Sequence, residues 1–153
     1  MASIPGKIFR TLIIDRNAKK MTMEELIKQL RDNHPKLMSQ IGAAADSEKN
    51  RRQLSHAIGI ERWGQSRLRV ALGAPLTMDE YNGYRPKREV PMDELVQQFD
   101  ETRQETVTIG EELSSHANIA AKTVEHNMMG NMTVGSWLYY LDMHSTFELK
   151  NVS

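Results

Sequence analysis

The sequence predicts an all-α fold, a four-helix bundle. Three observations predict it. Four long segments carry apolar residues at near-helical spacing. Almost nothing alternates in the manner of a strand. The 153 residues are the length of one domain, long enough to bury a core without disulfides or a structural metal. An up-down-up-down order is the simplest arrangement, and a long third connection also allows a crossover.

The elements follow in chain order. Residues 1–21 read as an N-terminal arm and residues 22–153 as one helical domain. In the arm, Ile8, Leu12, Ile13 and Ile14 are interrupted by Arg16, Lys19 and Lys20, which fits an extended arm or a short helix packed on the body. The first long helix starts at Thr22, which forms a capping box with Glu25. Leu26, Leu30, Leu37 and Ile41 make its stripe, and the phase survives Pro35, so a kinked helix is expected rather than two helices. The second helix starts near Asp46 or Ser47 and stops at Gly73 and Pro75, with Leu54, Ala57, Ile58, Ile60, Trp63 and Leu68 along it. Residues 74–90, with Pro75, Gly83 and Pro86, read as an ordered loop. Pro91 fits the first turn of a third helix, and Asp93 and Glu94 suit its positive end. Leu95, Val96, Phe99, Val107 and Leu113 supply its stripe. From Ser114 to Met132 the pattern weakens into a connection, and Thr133 caps a fourth helix running toward Val152.

Composition excludes several classes. The chain has no cysteine, so disulfide scaffolds, thiolate metal sites and cysteine nucleophiles are absent. Twenty basic residues balance twenty acidic ones, which disfavours nucleic-acid or anionic-membrane binding by bulk charge. No apolar run reaches the ~18 residues of a membrane span, and residues 1–10 lack a signal-peptide core, so a cytoplasmic protein is expected.

On the fourth helix, Trp137, Leu141, His144 and Glu148 fall within about 60° on the helical wheel. Trp137 and Leu141 mark that face as inward, so His144 and Glu148 point into the bundle one turn apart. On the second helix His56 lies in the apolar sector between Ile60 and Trp63. Two imidazoles and a carboxylate are a ligand set that catalytic zinc sites use while keeping a position for water. The plainer reading makes each His a hydrogen-bonded core or rim residue, with Glu148 in water or paired with Arg67 or Lys150. His116 and His126 are expected in exposed loop, His126 otherwise at a pocket mouth. Arg51, Arg52, Arg62, Arg67 and Arg69 read as a solvated face, although Arg67 has nearly the wheel angle of His56 and could bind a substrate carboxylate. Asp142 and Ser145 point away from the ligand face. Met128, Met129, Met132 and Met143 suggest adaptable packing or a dimer surface.

Three stretches resemble the DinB-like (DinB/YfiT) superfamily of metal-dependent four-helix proteins: residues 56–64 around His56 and Trp63, residues 130–138 around Thr133 and Trp137, and residues 139–150 around His144 and Glu148. The family pattern is one His on the second helix and an H-x-x-x-H pair on the last. His56 and His144 match its first two ligands, and Glu148 stands where the third His would be. The resemblance implies an up-down-down-up bundle, a homodimer, and a divalent metal, zinc or nickel, in a pocket at one end of the core. Trp63, Arg67, Trp137 and Tyr140 are expected to line that pocket. It also implies metal-assisted hydrolysis or thiol transfer on a small-molecule substrate, with a low-molecular-weight thiol as partner. The alternative is a metal-free small-molecule-binding or dimeric interaction module with a degenerate site.

Overall fold

Thr22 opens the first long helix as a capping box: its side chain accepts from the Glu25 amide, and Glu25 accepts from the Thr22 amide. A computed structural model of the chain describes residues 6–153. The protein is mostly helical, with one small two-stranded sheet. The helices are α1 (Gly6–Phe9), α2 (Arg16–Ala18), α3 (Met23–Gly42), α4 (Glu48–Ala71), α5 (Met92–Ser114) and α6 (Val134–Leu149), with a π-helical stretch at Arg10–Asp15 joining α1 to α2. The helix α3 continues through Pro35. Ser47 caps α4 through the Asn50 amide and Thr133 caps α6 through the Ser136 amide. Gly73, at φ +111°, follows α4 in the left-handed region that glycine enters without penalty. Pro91 is the N-cap of α5, one residue before the helical position expected for it.

The N-terminal segment of the described residues is helical and docked. Ile14 and Ala18 are buried. Arg10 donates to the carbonyls of Met129 (2.7 Å) and Asn131 (2.9 Å), and Asp15 accepts from Ser136 (2.6 Å). Residues 1–5 of the expected arm lie outside the described residues.

The weak segment after Ser114 is more ordered than its sequence suggests. A 3₁₀ turn (Ile119–Ala121) leads into an antiparallel hairpin of β1 (Thr123–His126) and β2 (Gly130–Thr133), in register Val124↔Met132 and His126↔Gly130. Strands of four residues are too short for alternation to register, so the expected connection carries a hairpin that its pattern did not announce.

Helix α3 packs on α5 and α6, and α4 packs on the same two. Pairs along α4 and α5 rise together, Arg62 with Gln98 and Gln65 with Thr106. Pairs along α4 and α6 run oppositely, Asn50 with Ser153 and Gly64 with Leu141. The cause is the 72–91 connection, which doubles back along α4: Trp63 holds Asp79, Arg62 holds Tyr84 and Ser55 holds Pro86. So α5 begins beside the start of α4.

The core divides into two apolar clusters. One centres on Leu30, Trp63, Ile109 and Trp137, the other on Leu37, Leu54, Phe99 and Leu149. Between them lies a buried polar layer. Arg103 donates to Glu61 (2.7 Å), to Asp142 (2.9 Å) and to the Leu30 carbonyl (3.2 Å), and all three charged groups are buried. Ser145 donates to Glu61 and Asn33 to Asp142. Asp142 and Ser145 therefore point away from the ligand face as expected, but into the core. The stripe expected on α5 is likewise completed by Thr102, Arg103 and Thr106, with Val107 only partly buried. Among the described residues no helix is long and apolar enough to cross a membrane.

Candidate metal centre

Two glycines on α4 bring the site together. At Gly64 a Cβ would collide with Leu141, so α6 approaches α4 closely here. At Gly59 a Cβ would collide with the Arg85 side chain, so the 72–91 connection lies directly on the helix. The first contact carries His144 toward His56, and the second brings Tyr81 and Arg85 over His56.

The result is a convergence of His56, His144 and Glu148. Each offers one ligand atom, and these atoms lie within 4.8 Å of one another. Donors ~2.1 Å from a shared ion stand at most about 4.2 Å apart, so side-chain movement of about an ångström suffices to close the set. The His56 and His144 rings are 5.3 Å apart and tilted by 52°. Tyr81 meets His56 edge-on at 5.0 Å, and Tyr140 lies 5.8 Å from His144. The side chains of His144 and Glu148 are 16% and 22% exposed, so the cluster sits under the surface with access to solvent.

The imidazoles are in the form that ligates. Burial pushes His144 down to about 3, and the neighbouring His56 adds to the effect. Burial also lowers His56, with Glu148 opposing and the Arg85 guanidinium reinforcing. Both rings are neutral near pH 7 and keep a free lone pair. Nε2 of His144 is 3.7 Å from Glu148, beyond hydrogen-bond range, and its buried Nδ1 has no hydrogen-bond partner. A buried ring nitrogen without a partner is costly, and an ion accepting its lone pair would remove part of that cost. The donor set of two nitrogens and one carboxylate oxygen suits a divalent ion with an open position. Among the described residues no other group of three His, Asp or Glu ligand atoms converges in this way.

The other expected site residues divide. Tyr140 touches the cluster, and burial pushes its phenol above the ordinary range, with Glu148 and Tyr81 adding to the shift. Trp63 and Trp137 are buried deeper, each indole N–H donating to a backbone carbonyl, that of Asp79 or of Val124 (both 3.0 Å). Arg67 is buried too. It donates to the carbonyls of Glu125 and Asp79 and to Asn127 (2.7 Å), which ties the hairpin to the 72–91 connection. Both terminal nitrogens of its guanidinium are thus engaged within the fold, and Glu148 is not among its partners.

His126 was expected in exposed loop and is instead buried in β1. Its ring lies 4.9 Å from Trp63, 5.3 Å from Trp137 and 5.4 Å from Tyr140. Its Nδ1 accepts the amides of Met128 and Met129, closing the hairpin turn. The residue is therefore structural, and the short strand holding it gave no periodic signal. Met129 and Met132 are buried, while Met128 is exposed.

No family model, curated protein or solved structure matches this chain.

Proposed function

We propose that this chain is a DinB-like, divalent-metal-binding protein, with His56, His144 and Glu148 as the ligands and a small molecule as substrate. The observation that carries the reading is the convergence of three ligand atoms from two helices, one of them on an imidazole whose buried Nδ1 lacks a hydrogen-bond partner. The sense of the helix contacts supports an up-down-down-up bundle: α4 and α5 are paired in parallel, and α4 and α6 are antiparallel.

A zinc or nickel ion held there would act as a Lewis acid on a water or a thiol and lower its pKa. The chain's own part is to present neutral imidazoles, to keep a carboxylate beside them, and to leave a solvent-reachable side. Hydrolysis or transfer of a low-molecular-weight thiol fits that part. The exposed Ile8, Leu12, Met128 and Phe147 offer apolar surface for the expected homodimer.

The alternative, a metal-free binding or interaction module, has one observation in its favour. His144 and Glu148 stand at i,i+4 on α6, a spacing that accommodates a simple side-chain pair without an ion. Against it, a neutral His144 at 3.7 Å makes neither an ion pair nor a hydrogen bond.

Elemental analysis of untagged protein, before and after adding Zn²⁺, Ni²⁺, Mn²⁺ and Fe²⁺, separates the two. About one ion per chain is expected, lost in His144→Ala and in His56→Ala with helical content unchanged. Stoichiometric metal retained by His144→Ala would overturn the ligand assignment.

A further inference from the structure

Against the candidate centre lies a feature the metal reading does not use. The 72–91 connection and the first two turns of α4 enclose an open groove of about 750 Å³. Arg51, Arg52, Arg85, Lys87 and Arg88 line it, opposed by the carboxylates Glu48 and Glu89. In a chain whose 20 basic and 20 acidic side chains cancel, this is a local excess of positive charge. Two of the cations are already matched, Arg88 by Glu48 and Arg51 by Asp46. Among the described residues Arg52, Arg85 and Lys87 carry no ion pair.

Arg85 is also held in place. It donates to Ser55 Oγ (3.3 Å) and to the Arg52 carbonyl (3.2 Å), and its stem rests on Gly59. A guanidinium fixed by its own fold gives up less entropy on meeting an anion. Arg52 stands one helical turn before His56 on the same face of α4, and Asn82 of the groove wall follows Tyr81, whose ring lies on His56. The groove and the metal centre therefore share a wall.

We propose that this groove binds the oxyanion end, carboxylate or phosphate, of a small-molecule substrate whose reactive end extends past Arg52 to the His56, His144 and Glu148 centre. The inference rests on the metal reading for the reactive end and on the groove alone for the anion.

Two titrations test the two parts separately. In the first, metal-free protein is titrated with inorganic phosphate and, separately, with succinate at constant ionic strength, and backbone amide shifts are followed. Saturable shifts are expected at Arg52, Ser55, Asn82 and Arg85, and the tighter ligand identifies the group. Arg52→Gln, at an exposed side chain, should weaken binding at least about tenfold, while Arg31→Gln on α3 leaves it unchanged. No saturable shifts at these residues, or equal affinity in Arg52→Gln, would overturn the subsite. In the second, zinc-loaded protein is offered acetohydroxamate and succinic monohydroxamate. The carboxylate-bearing chelator should bind at least about tenfold more tightly, and Arg52→Gln should erase the difference. An absent advantage, or one that survives in Arg52→Gln, would overturn the link to the centre. A chain that takes up no zinc would sink that link together with the metal reading, and the phosphate and succinate titration would still decide the groove.

Discussion

Leu141 of α6 seats its side chain on the bare Cα of Gly64 of α4, in space that a Cβ would occupy. That contact sets the approach of the two helices and with it the 5.3 Å separation of the His56 and His144 rings. Gly64→Val should force the helices apart and cost about 1–3 kcal/mol by overpacking. Metal affinity should fall as well, because both imidazoles must reach one ion. Urea unfolding and zinc titration of the variant check this. Unchanged zinc affinity would mean that the helix spacing does not define the site.

Glu148→Gln keeps the size of the side chain and removes its charge. Zinc affinity should fall at least about tenfold, read by competition with a chromogenic chelator. In wild type, zinc at about a hundred times its dissociation constant should stabilise the fold by about 2.7 kcal/mol. The variant should gain markedly less at the same concentration. Equal stabilisation of both proteins would remove Glu148 from the ligand set.

Much of this frame is legible in the sequence because caps and breaks act locally. Thr22, Ser47 and Thr133 each cap the helix that their sequence position announces. His56, His144 and Glu148 converge because each lies at the helical phase of the apolar residues around it. What was missed depends on partners distant in sequence. Arg103 is not singled out by its sequence context, because its role depends on Glu61 and Asp142 brought to it from two other helices. A trace of it was present, since the apolar stripe of α5 lapses between Phe99 and Val107, where Thr102, Arg103 and Thr106 hold the inward positions. His126 left no trace, because its burial comes from two tryptophans and a tyrosine on α4 and α6.

The hairpin turn makes stability pH-dependent through His126. Its Nδ1 accepts the amides of Met128 (3.0 Å) and Met129 (3.2 Å), which requires that nitrogen to be unprotonated. Burial, with the Arg67 charge adding, pushes the imidazole down to about 4. The unfolded value is about 6.5. Between the two the unfolded chain binds a proton that the native state refuses, so stability falls as pH drops through that window. The loss from this residue is a few kcal/mol at most. Urea unfolding between about pH 7.5 and about pH 4.5 should show it. In His126→Asn, whose amide oxygen takes the acceptor position, the proton uptake on unfolding should drop by about one. An unaltered slope would assign the acid sensitivity elsewhere.

The buried layer of Glu61, Arg103 and Asp142 is held by one guanidinium between two carboxylates. Burial raises the Asp142 carboxyl even with Arg103 beside it, while Glu61 and Asp142 raise the Arg103 guanidinium against its own burial. Removing the cation alone leaves two carboxylates facing each other out of water. Arg103→Met should therefore cost about 3–5 kcal/mol in urea unfolding. Replacing all three together, with Glu61→Leu and Asp142→Leu added, removes the desolvation penalty along with the attraction. That triple variant should recover most of the loss and end near wild type or above it. A loss below about 1 kcal/mol in Arg103→Met would show that the carboxylates find water or protons without the guanidinium. The layer would then be a tolerated polar seam between the two apolar clusters rather than the tie between three helices.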